Sequence, residues 1–303
     1  MLSIFIHLVR SLLFIGIITN LTACNEKYSG SVTTPSAAGE QLGNKSSSKN
    51  LMKWSSSSLG STGLNVFVSE DLINEFNPED YIDELNPIQQ MLIEWNNAVP
   101  DRILFNIDSS SDSNAISTDQ KVDVVDYNDN IFGIYKHDDW FDDVSPSALA
   151  ITQFFGKRIN PGNSNEYLEL IHADIIVNFK YFNFAVGPED YETYDLPSVI
   201  LHELGHFLGL NHTGYYANSV MVPYLDVATE KRELFSDDEA SIQEIYGSST
   251  NQLSAIRNNS SFKLGALVNN SESSNEEYVN GIIELQASGK CRHFINGKLV
   301  HIH

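Results

Sequence analysis

The chain has 303 residues, long enough for one or two domains and a sizeable core. With 42% hydrophobic and 19% charged residues it reads as mostly globular rather than disordered. The formal net charge is −22, and residues 61–247 hold 34 Asp and Glu against 8 Lys and Arg. That balance argues against nucleic-acid binding, which needs cations to neutralise phosphates; it suits hard cations such as calcium without requiring them.

In chain order, residues 1–23 read as an export signal. Arg10 precedes the apolar run Ser11–Ile18, which is too short to span a bilayer alone. The run leads into Leu21-Thr22-Ala23-Cys24, which resembles a bacterial lipobox. The resemblance implies cleavage before Cys24 and lipidation of its thiol. Asn25-Glu26 lacks the Asp that retains lipoproteins in the inner membrane, so an outer-membrane location is implied for a Gram-negative source. Arg10 is the only Lys or Arg before the run, which leaves an uncleaved anchor over residues 1–23 as the other reading. Both place the remainder outside the cytoplasm, lipid-anchored or released. Residues 24–61 are expected to be a linker: eleven of residues 25–63 are Ser, too polar to bury much surface.

The folded domain is expected over 62–247. It opens with a short β pattern at Leu64–Val68. Asn86-Pro87 is a helix start, and Ile88, Met91, Leu92 and Trp95 follow at helical spacing. Strand-like runs come at Ile103–Ile107, Ile131–Tyr135, Leu149–Phe155 and Ile175–Phe179. A second helix is predicted from Pro197 to Leu208. A third begins at Ser236, with Ser236 and Glu239 as its capping box, and ends at Tyr246-Gly247. This order predicts an α+β fold with helices packed on a sheet. Residues 248–303 form a polar tail ending in a predicted β-hairpin, whose Asn296-Gly297 supplies the positive φ angles of a type I′ turn.

The decisive segment is His202-Glu203-Leu204-Gly205-His206-Phe207-Leu208-Gly209-Leu210-Asn211-His212. On a helix, positions i and i+4 share a face, so His202 and His206 can offer two imidazoles to one metal. Gly209 permits a positive φ, and the turn it allows can return His212 as a third ligand. Three histidines leave one coordination position open to water, as a catalytic zinc site requires. Glu203 is placed to act as general base on metal-activated water.

The pattern H-E-x-x-H-x-x-G-x-x-H followed by Ser219-Val220-Met221 resembles the metzincin metallopeptidases, with Met221 in the methionine turn. Leu196–Leu201, Val220-Met221-Val222-Pro223 and Leu234–Gly247 resemble the matrixins within that group, with Val222 where those have Tyr. The resemblance spans roughly 62–247. It implies a twisted, mixed five-stranded sheet with three helices and a zinc cleft between the sheet and a C-terminal subdomain. It also implies one catalytic zinc and extended protein or peptide substrates that pair with an edge strand at Ala148-Leu149-Ala150. The chain is expected to act as a monomer. At the positions of the matrixins' structural-zinc histidines stand Ile151 and Ile176. No cysteine-switch segment precedes the domain; Cys291 follows it. Tyr224 lies three residues after Met221, where some metzincins have a tyrosine two residues after.

Weaker signals are Asp126-Tyr127-Asn128-Asp129-Asn130, a calcium-like alternation with Ile131 where Gly is expected, and Cys291, His293, His301 and His303. The tail histidines read first as solvent-facing and second as a small metal site. His137 and His172 read as structural. The alternative to an active zinc endopeptidase is a catalytically inactive binding or adhesion lipoprotein on the same fold, which would have no need of Glu203.

Overall fold

The computed structural model describes residues 51–302 apart from 119, 188–191, 215–217, 249–276 and 289. The signal segment and Cys24 lie outside the described residues, as does His303.

Two long strands, β4 (Ala148–Ile159) and β5 (Tyr167–Asn178), pair antiparallel at the centre of the sheet. Their runs of β-branched and aromatic residues suit strands covered on both faces. β3 (Gly133–His137) pairs parallel with the second half of β5, and β2 (Phe67–Val68) pairs parallel with β3. The pleat sends Ile134, Ile175 and Val177 into the main core. It sends Tyr135 and Ile176 into a second cluster that residues 124–144 cover with Tyr127, Trp140 and Phe141. Ile151 and Ile176 are register partners in that second, apolar cluster.

The domain begins earlier than the sequence predicts. Leu51–Trp54, inside the expected linker, forms β1 and pairs parallel with the first half of β5, from Leu51↔Tyr167 to Trp54↔Leu170. Trp54 is the reason. Its indole Nε1 donates to the Phe207 carbonyl at 2.7 Å, and its amide donates to Tyr246 Oη at 3.0 Å. Tyr246 in turn donates to the Leu208 carbonyl at 2.7 Å. The Phe207 carbonyl at the end of a helix thereby finds its partner in a segment whose serines disguise it, and Trp54 also holds the tyrosine that serves Leu208.

Three helices have eleven or twelve residues: α1 (Pro87–Ala98), α2 (Leu196–Phe207) and α3 (Ser236–Tyr246); α2 packs on β4 and β5, α1 on α2, and α3 on α1. Asn86 and Gln89 form the capping box of α1, with Pro87 at its first position. Trp95 of α1 donates to the Leu201 carbonyl of α2 at 3.0 Å. The cap of α3 differs from the predicted Ser236/Glu239 box. Phe235 stands at the cap position and its amide donates to Asp238 at 3.1 Å. Asp238 is drawn inward because it also accepts from Ser219 Oγ and from the Val220 amide.

The family resemblance implies five strands, and β1–β5 supply five; the tail adds three more. β6 (Tyr278–Gln286) lies antiparallel along β4, and the hairpin β7 (Arg292–Ile295) and β8 (Lys298–Ile302) continues the sheet outward. Asn296 and Gly297 take φ of +48° and +69°, as the predicted turn requires. The strands of this sheet therefore order as β8-β7-β6-β4-β5-β3-β2, with β1 beside β5.

Candidate metal centre

All twelve residues of α2 are buried. Asp195 caps its start, accepting the Ser198 amide at 3.0 Å, and is itself held by the Arg232 guanidinium. At the other end Gly209 has φ +98°, and a Cβ there would lie 2.3 Å from the Met52 carbonyl oxygen on β1. Glycine is needed twice over at this point, for the turn and for the close approach. The turn carries the chain round so that His212 faces His202 and His206.

The three Nε2 atoms lie 3.0–3.1 Å from one another. His202 Nδ1 donates to the Val220 carbonyl at 2.6 Å and His206 Nδ1 to the Leu210 carbonyl at 2.8 Å. Those bonds fix the Nδ1–H tautomers and aim the Nε2 lone pairs inward. Burial and the neighbouring His206 hold the pKa of His202 well below its ordinary value, so it stays neutral. Tetrahedral ligands at zinc–nitrogen distances of about 2.05 Å stand ~3.3 Å apart. The donor set and spacing thus fit a zinc ion.

Glu203 is fully buried beside the triad. Its Oε2 accepts from Thr152 Oγ1 at 2.5 Å, while Oε1 has no hydrogen-bond partner among the described residues. Burial pushes its pKa up to about 8; the Thr152 hydrogen bond opposes that and the charge of Glu284 adds to it. A divalent cation in the adjoining site would draw the value down.

Met221 packs beneath. A Cβ on Gly205 would lie 2.3 Å from Met221 Sδ, so a glycine one residue before His206 makes room for it. Asp238 fixes the turn that carries Met221, and the Thr213 amide donates to the Met221 carbonyl at 2.8 Å.

Two sequence expectations are corrected here. Ala148, Leu149 and Ala150 do lie at the start of β4, but that strand is not an edge. Ala148 and Ala150 are register partners of Gln286 and Leu285 on β6. The tail histidines do not all face solvent: His293 is buried and its Nε2 stands 2.7 Å from His212 Nδ1. Cys291, also buried, donates its thiol to the Glu284 carbonyl at 2.7 Å and lies 3.3 Å from His212 Nδ1. It thus meets His212 at the nitrogen not shared with the triad, and burial pushes its thiol pKa up. His212, Cys291 and His293 form a second group of metal-capable side chains among the described residues.

Asp129 accepts the Ile131 amide at 2.7 Å, and neither Asp126 nor Asp129 belongs to a group of three metal-capable residues among those described. His172 pairs with Asp174 at 2.6 Å, and His137 Nε2 with the Lys121 carbonyl at 2.9 Å. Thr152 and Asp238 are the residues at the site that sequence reasoning missed.

The matrixin family matches residues 134–247. Metalloendoproteinase 2-MMP of Arabidopsis thaliana is 42% identical over 57 residues, 19% of this chain and 15% of that protein. Metalloendoproteinase 1 of Glycine max is 41% identical over 54 residues, 18% of this chain and 17% of that protein. Matrix metalloproteinase-25 of Homo sapiens is 36% identical over 69 residues, 22% of this chain and 12% of that protein. Each match spans less than a fifth of the relative's length. With its mixed sheet and histidine triad, the segment is a matrixin-like metzincin domain.

Proposed function

We propose that this protein is a zinc-dependent endopeptidase acting on extended polypeptide substrates. The observation that carries the proposal is the convergence of His202, His206 and His212 within 3.1 Å at Nε2, with Glu203 alongside. A zinc ion held by these three residues supplies Lewis acidity toward a water molecule and a peptide carbonyl. The proton work falls to Glu203. Thr152 holds Oε2, leaving Oε1 to take a proton from the attacking water and return it to the departing amine. Met221 and Gly209 act by position, one flooring the triad and the other turning His212 into it. The Ala148–Ala150 backbone, which β6 occupies, is the ladder on which a substrate strand would pair in its place. Export, lipidation at Cys24 and a monomeric state belong to the same proposal and rest on the N-terminal sequence and the family resemblance.

The test is metal content and cleavage of an unfolded protein by the full chain. One zinc per chain is expected, lost in His206→Ala. Glu203→Ala should keep the zinc and lose about 10²–10⁴-fold in kcat/KM. Cleavage undiminished in Glu203→Ala would overturn the mechanism; wild-type chain that takes up no zinc would overturn the site.

A further inference from the structure

The triad and Glu203 are each no more than 2% exposed, which is the wrong state for residues that must meet a polypeptide. What covers them is the tail. From Tyr278↔Lys157 to Gln286↔Ala148, β6 takes up the backbone groups on that side of β4. Its last residue then bridges to the opposite wall. The Gln286 amide donates to the Pro223 carbonyl at 3.2 Å, and the Leu225 amide to the Gln286 carbonyl at 3.1 Å. Leu285, 1% exposed, lines a small cavity together with His202, Val220, Val222, Tyr224 and Leu225. The hairpin completes the cover through His293 at His212 and through the Cys291 thiol, which holds the Glu284 carbonyl. A strand bonded to both walls of a cleft leaves no ladder for another.

We infer that β6, backed by the hairpin of β7 and β8, is an autoinhibitory strand: it occupies β4 and the Pro223–Leu225 wall in place of substrate and must leave before the zinc centre can act. This rests on the peptidase proposal above. The tail's own salt bridge helps hold it. Arg292 reaches Glu284 at 2.8 and 3.1 Å, and the Ser145 amide donates to the same carboxylate at 3.1 Å. The bound state caps activity at the fraction of molecules with the segment released.

The experiment compares full-length wild type with Leu285→Asp, which places a charge at the buried contact, and Arg292→Ala, a part-exposed change that spares the core. Three quantities are measured: peptide cleavage, the rate at which the chelator 4-(2-pyridylazo)resorcinol captures the zinc, and the thermal transition. Both variants should cleave about tenfold faster or more, and lose zinc to the chelator faster, while still melting cooperatively. A synthetic peptide spanning residues 277–302 added to Leu285→Asp should restore slow cleavage. Should Leu285→Asp fail to fold, Arg292→Ala carries the test. Wild-type rates of both cleavage and zinc capture in a folded variant would overturn the inference. Faster zinc capture with no cleavage by any form would uphold the strand's role and sink the peptidase reading instead.

Discussion

Glu203 is held at one oxygen and open at the other, and the group that divides them is Thr152, 51 residues away in sequence. A hydrogen bond to a charged group contributes about 1.5–3 kcal/mol, enough to set which oxygen is presented. Thr152→Val removes the hydroxyl at nearly constant shape. It should lower kcat by about tenfold with KM and zinc content unchanged, and Thr152→Ser should recover the loss. Unchanged kcat in the valine variant would mean that Thr152 only packs. His202, Glu203 and His206 were legible because one helix places them by local geometry alone, and His212 because Gly209 permits the turn that returns it. Thr152 was not, because its role depends on how a strand lies across that helix.

At the scale of elements, caps and turns announced themselves where their chemistry is local. Asn86-Pro87 starts α1 and Asn296-Gly297 turns the tail hairpin, as their residue types require. β1 gave no such signal. Leu51–Trp54 is flanked by serines, and its worth lies in contacts with β5, α2 and α3 that are distant in sequence. Trp54→Ala should therefore destabilise the fold by about 3–5 kcal/mol in chemical denaturation. Trp54→Phe, which keeps most of the packing but loses the bond to Phe207, should cost about 1 kcal/mol. A Trp54→Ala loss near zero would return this segment to the linker. The α3 cap shows the same division: Ser236 and Glu239 have the right spacing, but Asp238 is claimed by Ser219 and Val220. A buried carboxylate with three donors outweighs an exposed box.

For the whole molecule, metal and fold are linked, because three buried histidines are clustered and aimed at one point. Zinc bound to the native state alone should stabilise it by mass action, by about 2.7 kcal/mol at a hundredfold excess over Kd. Calorimetry of the chain before and after chelation should thus show a lower transition without metal, restored by adding zinc. Identical transitions would argue that the triad holds none.

By itself the sequence determined the features that neighbours along the chain dictate: the spacing of the three histidines, the glycine that turns His212 inward, the main helices, the central strands and the tail hairpin. Only the tertiary structure decided which strands meet. It drew Leu51–Trp54 into the sheet, gave Glu203 its threonine and laid residues 278–286 along β4, where the sequence had left an edge. Strand pairing joins backbones, which carry the same donors and acceptors whatever the side chains. The partner of an edge is therefore chosen by what the rest of the fold brings beside it.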